Sequence, residues 1–274
     1  MTWTALGLRH ELILYGDNRA RMAKLCLELK DASLETERTV GAQSGSELEV
    51  VNDFATTAKI RVSPTLYTLL LTAKHLWRQT DGRYEPVRTE SQAASDTARS
   101  LFPLRRLELN PQEGTVCVRG EPIRLELADL GAGWLHDQLL RHARREQIRS
   151  GILISGERHV TALGPPPWGE TWPLRVSAEL HEGRRLASPL RFASGVLTAC
   201  RRSRSLAPEP GSETAWPVAV ATASGLEGVA FARSTARIDT PEMLAELASK
   251  LGGHGVWLAR LDSETIEAYR PMAS

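Results

Sequence analysis

The sequence has few cysteines and few aromatic residues, and neither sign of charge dominates. Its 274 residues include 3 cysteines, which stand far apart without a CxxC pair, and aromatic residues make up 5%. This excludes a disulfide scaffold and a zinc ribbon, and it indicates a reducing compartment. The 34 lysines and arginines against 33 acidic residues leave a net charge of +1. A chain that coats nucleic acid would be far more basic, so we expect no nucleic-acid partner.

Long apolar runs are also missing. The most apolar short stretch, residues 66–73, is much shorter than the about 20 residues that a membrane span requires. The N-terminal residues show neither the basic start nor the apolar region of a signal peptide. We therefore expect no membrane insertion and a cytoplasmic location.

The motifs of common enzyme classes are absent as well. The sequence contains no HExxH pair for zinc, no GxSxG nucleophile elbow, no P-loop and no GxGxxG. Two basic runs, residues 141–145 and 201–204, contain no interleaved aromatic residue. We expect them to be a solvated helix face and a loop, so generic motifs assign no function.

Two helix starts are well marked. Ser46 followed by Glu49 fits a capping box, and Ser63 followed by Pro64 fits a capped helix with proline at its first position. The second helix is expected to bury a stripe of residues at helical spacing: Leu66, Leu69, Leu70, Ala73 and either Leu76 or Trp77.

The remaining chain alternates between further helix and strand patterns. Helical spacing of apolar residues predicts helices over residues 19–34, 131–148 and 241–251. Strands are predicted over residues 6–15, 104–109, 115–127, 152–155, 159–163, 172–180, 217–222, 255–261 and 265–269. Because the strands come in hairpin-like sets between three or four helices, the pattern favours an α+β fold over a doubly wound α/β fold.

Several short segments, spread over about residues 40–270, occur in the order and spacing of one enzyme family. They are Ser46–Glu47–Leu48 with Asn52, Val62–Ser63–Pro64, the turn from Thr80 to Pro86, the stretch from Glu126 to Asp137, Ser155–Gly156–Glu157, the strand from Trp172 to Val176, Thr198–Ala199, the element from Arg204 to Gly211, and the blocks from Val218 to Ala221 and from Leu226 to Ala232. Together these segments resemble the FAD:protein FMN transferases, the ApbE family.

The resemblance implies both a fold and an activity. The fold would be α+β and related to the T-fold, with antiparallel sheets and three or four flanking helices. It would form one domain over residues 1–274, or two subdomains that meet near residues 88–104. The activity would be transfer of FMN from FAD to a Thr or Ser hydroxyl of an acceptor protein, with release of AMP. Such a transfer needs Mg²⁺ on the pyrophosphate and oxygen ligands that hold the ion.

The resemblance also nominates site residues. The candidates for flavin binding are Tyr84, Glu85, Glu126 and Arg204, and the candidates for metal binding are Asp129 and Glu227. Tyr84 and Glu85 stand where the family has Phe and Asp, and they keep a ring face and a carboxylate. Asp129 falls where a backbone oxygen of the family's loop helps to hold the metal, and Glu227 stands where the family has a metal-binding Asp.

Other positions depart from the family pattern. They are Ala132 in place of Lys or Glu, Phe231 in place of a metal-binding Thr, Arg204 in place of His and Ala207 in place of Asp. A phenyl ring cannot ligate Mg²⁺, so losing these groups could remove catalysis. Two alternatives therefore stay open. One is a non-catalytic flavin binder in which Arg204 holds the pyrophosphate without metal; the other is a structural or interaction protein that binds no flavin, with Glu126 and Glu227 as solvated carboxylates.

Overall fold

The fold is an α+β arrangement, as expected. A computed structural model describes residues 1–42, 45–88, 103–156, 158–179, 185–199, 216–235, 238, 241–251, 255–259 and 266–269. In chain order its elements are β1 (Thr2–Ala5), β2 (Leu8–Tyr15), α1 (Arg19–Val40), α2 (Glu47–Phe54), β3 (Ile60–Arg61), α3 (Pro64–Gln79), β4 (Val87–Arg88), a 3₁₀ turn (Pro103–Arg106), β5 (Leu107–Asn110), β6 (Thr115–Val118), β7 (Arg124–Leu125), α4 (Ala128–Arg145), β8 (Ser150–Ser155), β9 (His159–Gly164), β10 (Trp172–Glu179), β11 (Arg185–Phe192), β12 (Gly195–Ala199), β13 (Trp216–Thr222), α5 (Gly225–Ser234), α6 (Pro241–Lys250), β14 (Gly255–Ala259) and β15 (Ile266–Tyr269).

Eight strands form one antiparallel sheet in the order β1-β2-β8-β9-β12-β13-β14-β15. The chain leaves this sheet after β2, builds helices α1 to α4 and two small sheets, β3-β6-β5 and β4-β7, and returns beside β2 as β8. The hairpin β10-β11 pairs only with itself among the described strands. The main sheet therefore holds two distant parts of the sequence side by side.

The two faces of the main sheet have different cores. Because side chains alternate along a strand, Leu153 of β8 packs with Leu25 of α1 and Leu135 of α4, whereas its neighbour Ile152 packs with Trp172 of the β10-β11 hairpin. Burial of each such leucine contributes about 1.5–3 kcal/mol. Helices α1 and α4 thus cover one face, and the hairpin covers the other.

Both predicted helix starts are confirmed. The hydroxyl of Ser46 accepts the N–H of Glu49 at 3.3 Å, and the hydroxyl of Ser63 accepts the N–H of Leu66 at 3.2 Å. The buried face of α3 contains the predicted stripe, and both Leu76 and Trp77 belong to it. This stripe joins a third and larger core together with residues of α5 and α6.

Helices α4 and α5 cross at two glycines. A β-carbon on Gly133 would lie 2.6 Å from the carbonyl oxygen of Gly225, and a β-carbon on Gly225 would lie 2.3 Å from the carbonyl oxygen of Gly133. Both distances are shorter than any real contact of this kind, so neither position accepts a side chain without movement of the backbone. The two helices can therefore approach closely enough for their end residues to interact.

Some predicted elements differ from the structure. Leu6 and Gly7 form a turn with positive φ angles of 55° and 69°, so the strand expected over residues 6–15 begins only at Leu8, and a strand that was not expected, β1, precedes the turn. Helix α1 runs to Val40 rather than ending near residue 34 because the buried side chains continue to that point. The described residues contain six α-helices rather than three or four, and α5, β11 and β12 were not expected as regular elements.

Two further expectations concern a subdomain boundary and membrane insertion. The alternative subdomain boundary near residues 88–104 falls mainly on residues 89–102, which lie outside the described part of the chain, and it stays a prediction. None of the described helices has the length and apolar character that crossing a membrane would require.

Candidate functional site

An open cleft lies where α1 ends and where α2 and α4 begin. It is shallow, with a volume of about 80 Å³, and is lined by residues 40–42, 46, 48, 49, 52 and 124–128. Two of the segments that carry the family resemblance, the one containing Asn52 and the one starting at Glu126, therefore meet in one cleft. Of the six candidate site residues, only Glu126 lines it within the described part of the chain.

Polar residues of the first segment hold the wall of this cleft. The side-chain amide of Asn52 donates to the carbonyl of Leu125 at 3.1 Å and accepts the N–H of Leu125 at 2.8 Å, as a neighbouring strand would. The carboxylate of Glu47 accepts hydrogen bonds from both the N–H and the hydroxyl of Ser63, at 2.5 and 2.6 Å. The segment thus fixes α2 to β7 on one side and to α3 on the other.

A cluster of charges at the edge of the cleft centres on Arg233, near the end of α5. Its Nε and Nη2 both lie 3.2 Å from Oδ2 of Asp129, and Nη2 lies 3.5 Å from Oε2 of Glu126. Nη1 of Arg158 lies 3.2 Å from Oδ1 of Asp129. Both carboxylate oxygens of Asp129 are therefore bound by guanidinium groups.

Tyr84 lies buried beneath this cluster. Its side chain is 1% exposed and belongs to the large core, and its backbone N–H donates to the hydroxyl of Thr80 at 2.9 Å. Burial raises the pKa of the Tyr84 hydroxyl far above its usual range, and the charge of Arg233 opposes this rise. The carboxylates of Asp129 and Glu85 raise it further. The structure thus brings Tyr84, Glu126 and Asp129 close to Arg233, and Glu85 lies next to Tyr84.

Glu227 has a different carboxylate as its neighbour. Asp137 accepts the N–H of Gly225 and the hydroxyl of Ser224, both at 2.7 Å, and so anchors the start of α5. Burial raises the pKa of Glu227, and the charge of Asp137 raises it further. Asp137 lies eight residues beyond Asp129 on α4, about 12 Å along the helix axis. The two proposed metal ligands therefore belong to different surroundings.

Among the described residues, Glu227 fits a cation better than Asp129 does. Oε2 of Glu227 is buried and receives no hydrogen bond from the described part of the chain, so a positive ion would satisfy it. Asp129 would first have to release an arginine. Within the described residues, no group of three or more His, Cys, Asp or Glu side chains is placed to hold a metal.

The positions that depart from the family pattern are placed as follows. Ala132 and Phe231 are fully buried, and Phe231 belongs to the large core. Arg204, Ala207 and Glu157 lie outside the described residues. The roles assigned to the six candidate residues stay predictions.

Sequence reasoning missed three charged residues of this region. Arg233 follows an apolar stretch of α5, and its isolated charge after that stretch was the sequence signal that could have identified it. Asp137 ends one of the matching segments but received no role, and Arg158 has no sequence signal that points to Asp129.

Comparison with known proteins agrees with the resemblance. The profile of the ApbE family matches residues 20–215. Three similar solved structures are the flavin transferase ApbE of Vibrio cholerae (TM-score 0.75, 13% identity, 99% of this chain and 96% of that one), the ApbE protein of Thermotoga maritima (0.76, 13%, 99% and 96%) and the apo form of the flavinyl transferase ApbE of Pseudomonas stutzeri (0.75, 15%, 99% and 93%). A search of curated proteins gives no match. The identities are low, so the structures support the fold, and the family profile supports the membership. The chain belongs to the ApbE family.

Proposed function

We propose that this protein is a flavin transferase that moves FMN from FAD to a Thr or Ser hydroxyl of an acceptor protein and releases AMP. Membership of the ApbE family supports this proposal. The observation that carries it is the cleft. Two segments far apart in the sequence, around Asn52 and Glu126, meet there, and Asn52 is held by two hydrogen bonds to the backbone of Leu125.

The start of α4 suits the phosphates of a nucleotide. Leu127 occupies the N-cap position of this helix and makes no side-chain hydrogen bond to it, so the first N–H groups lack the usual capping partner. Leu127 and Ala128 both line the cleft. Backbone N–H groups at a helix start bind phosphate oxygens, and the helix dipole favours the negative charge. One phosphate of FAD would therefore lie at the start of α4, in the cleft that Glu126 also lines.

Glu227 is the residue that would hold Mg²⁺. When bound, Mg²⁺ would supply a positive charge that stabilises the phosphoryl group as it is transferred. The buried, unsatisfied oxygen of Glu227 supports this assignment. Asp129 would instead keep Arg158 and Arg233 in place at the edge of the cleft.

A second candidate function is flavin binding without transfer. One observation favours it: Phe231, at the position of the family's metal-binding Thr, is buried in the core and offers no oxygen ligand. Such a protein would bind FAD equally well with Mg²⁺ and with a chelator, and it would release no AMP.

The test is a titration with FAD, followed by flavin fluorescence, in Mg²⁺ and in EDTA, with AMP release measured by chromatography. The transferase predicts Mg²⁺-dependent AMP release. Glu126→Ala should weaken FAD binding, whereas Glu121→Ala, an exposed change outside the cleft, should not. Binding that is equally tight in EDTA, without AMP, would support the second candidate. A folded protein that binds no FAD would contradict both.

A further inference from the structure

A chain of buried hydrogen bonds joins α4 to the main sheet. Nδ1 of His136 on α4 lies 2.7 Å from the hydroxyl of Thr161 on β9, and its Nε2 lies 2.8 Å from the hydroxyl of Ser155 on β8. The Ser155 hydroxyl lies 2.7 Å from Nδ1 of His10 on β2, and Nε2 of His10 lies 3.0 Å from the carbonyl of Ala5 on β1. All four side chains are 0% exposed.

The partners fix the direction of every bond in this chain. The Ala5 carbonyl can only accept, so His10 carries its proton on Nε2, and its Nδ1 accepts from Ser155. The Ser155 hydroxyl has then used its proton and must accept from Nε2 of His136. A neutral His136 consequently accepts at Nδ1 from Thr161. With both imidazoles neutral, all four bonds are made.

An additional proton breaks this arrangement. If His136 gains a proton at Nδ1, it must donate to Thr161, whose own hydroxyl hydrogen then loses its acceptor. If His10 gains a proton at Nδ1, it donates to Ser155, and the hydroxyl hydrogen of Ser155 loses its acceptor. If Ser155 then donates to His136 instead, His136 must donate to Thr161, and the hydroxyl hydrogen of Thr161 loses its acceptor. Within the described residues neither hydroxyl has another side-chain hydrogen-bond partner. A buried donor without an acceptor is costly.

The groups around the chain do not compensate for an added charge. Trp3 stacks on His10 with ring centroids 5.1 Å apart, and Glu37 of α1 is the carboxylate that acts on His10. His136 faces His159, with ring centroids 5.6 Å apart. Burial lowers the pKa of His10, against smaller opposing effects of its Ala5 bond and Glu37. Burial lowers the pKa of His136 well below its usual value, and the neighbouring histidines lower it further.

The third histidine, His159, lies beside the chain rather than in it. Its Nδ1 lies 3.3 Å from the hydroxyl of Thr198 on β12. Burial lowers its pKa to about 4, with Asp129 raising it and Arg158 and His10 lowering it. The charged groups that face the three imidazoles are thus two carboxylates and one guanidinium, and none is hydrogen-bonded to His10 or His136 among the described residues.

We propose that the chain from Thr161 through His136, Ser155 and His10 to Ala5 is a proton-sensitive lock that holds α4 on the sheet and releases it in acid. Helix α4 carries Asp129 in its first turn and Asp137, which anchors α5, further along. Release of the lock would therefore disturb both the charge cluster around Arg233 and the surroundings of Glu227. The proposal goes beyond the proposed function, and its test needs no flavin.

The sign of the pH effect follows from the lowered histidine pKa values. The unfolded chain takes up these protons as the pH falls below about 6.5, while the folded chain does not. The lock therefore gives its full stabilisation above about pH 6.5 and loses it progressively below. Each histidine kept neutral by the fold raises the unfolding equilibrium constant about tenfold per pH unit in that range.

The first test is ¹H–¹⁵N NMR of the histidine ring nitrogens in the full, labelled chain at pH 7.5. We expect His10 and His136 as neutral rings with the proton on Nε2, still neutral at pH 5.5. A proton on Nδ1 of either neutral ring, or an imidazolium at pH 7.5, would overturn the proposal. This measurement needs no variant and therefore no assumption about folding.

The second test compares urea unfolding between pH 7.5 and pH 5 for the original chain, for His136→Gln and for His75→Gln. Glutamine can replace the Nε2–H bond but does not titrate. We therefore expect the unfolding equilibrium constant of His136→Gln to rise less steeply as the pH falls, by a factor of about ten for each pH unit below about 6.5. His75 is exposed on α3, and its variant should keep the original dependence. Equal pH dependence in His136→Gln and the original chain would contradict the lock.

Discussion

Arg233, in the last turn of α5, binds Asp129, in the first turn of α4, with two of its nitrogens 3.2 Å from the same carboxylate oxygen. The helices run so that the start of one lies at the end of the other, which the contact between Gly133 and Gly225 makes possible. The ion pair joins the end of α5 to the start of α4, and Asp137 of α4 binds the start of α5. The charge cluster at the cleft therefore also holds α4 and α5 together.

Removing the guanidinium of Arg233 should destabilise the fold. Its side chain is 23% exposed and that of Asp129 is 33% exposed, so the pair is neither fully screened nor fully buried. We expect Arg233→Met to lower the free energy of unfolding by about 1–2 kcal/mol and Arg233→Lys to lower it less. Urea unfolding at neutral pH measures this. Arg119→Met, which breaks an exposed pair with Glu108, is the control and should change little. A smaller loss in Arg233→Met than in the control would contradict the prediction.

Neutralising Glu227 should stabilise the protein when no divalent ion is present. Folding raises the pKa of this carboxyl from 4.5 through burial and the charge of Asp137, so the ionised form is disfavoured in the folded state. The penalty is absent well below pH 4.5 and grows as the pH rises above it. We expect Glu227→Gln to raise the free energy of unfolding at pH 7 by up to about 1 kcal/mol, reduced by partial solvent screening.

The measurement is urea unfolding in EDTA at pH 7 and pH 4. The gain should shrink at the lower pH, where Glu227 is itself neutral. Millimolar Mg²⁺ should abolish the gain at pH 7 if Glu227 binds the ion. A loss of stability in Glu227→Gln at pH 7 in EDTA would contradict the assigned electrostatics.

A methyl group at Gly133 should push α4 and α5 apart. In an open helix, Gly→Ala stabilises by about 1 kcal/mol. Here the new β-carbon would lie 2.6 Å from the carbonyl oxygen of Gly225 and 3.0 Å from Val229, so we expect a loss of about 1–3 kcal/mol instead. Thermal and urea unfolding give the sign directly. Gly169→Ala, with open space around the new atom, is the matched control. A stabilised Gly133→Ala protein would show that the helices are not in contact there.

Changing Asn52 to aspartate should weaken the wall of the cleft. A carboxylate can still accept the N–H of Leu125, but it cannot donate to the Leu125 carbonyl and instead places a negative charge against it. We expect Asn52→Asp to cost about 1–3 kcal/mol and to weaken FAD binding. The exposed neighbour Asp53 provides the reverse change, Asp53→Asn, as a control for net charge, and it should leave both properties unchanged. Normal stability with normal FAD affinity in Asn52→Asp would contradict the role of this amide.

Local sequence signals predicted the helix starts correctly because a cap depends on neighbouring residues only. Ser63 before Pro64 marks the beginning of α3 whatever lies around it, and the structure confirms this start. Leu6 illustrates the opposite case: its apolar side chain fits a strand pattern, yet it adopts a positive φ beside Gly7 and forms the turn between β1 and β2. Helix α5 was not expected because Gly225 and Gly228 lower its helix propensity. Packing against α4 and β12 requires those glycines, and the sequence does not display that packing.

The candidate site divides in the same way. Family resemblance placed Glu126 and Asn52 in segments that do meet in the cleft, because those segments have recognisable residue patterns. Arg233 was missed because it stands 104 residues from Asp129, with no pattern that links the two. Tyr84 was expected to present its ring face to flavin, and the structure places it in the core; its contact with flavin stays a prediction.

The sequence by itself determined the family, the α+β class with antiparallel sheets and the caps of α2 and α3, since composition, residue order and near-neighbour chemistry carry that information. Only the tertiary structure decided which charges neutralise one another and which tautomers the buried histidines adopt. Asp129 acquires Arg158 and Arg233, and His136 acquires Thr161 and Ser155, only after distant strands and helices are packed together. The partner of a buried polar group is set by the path of the whole chain, because desolvation forces each such group to find a partner wherever packing provides one.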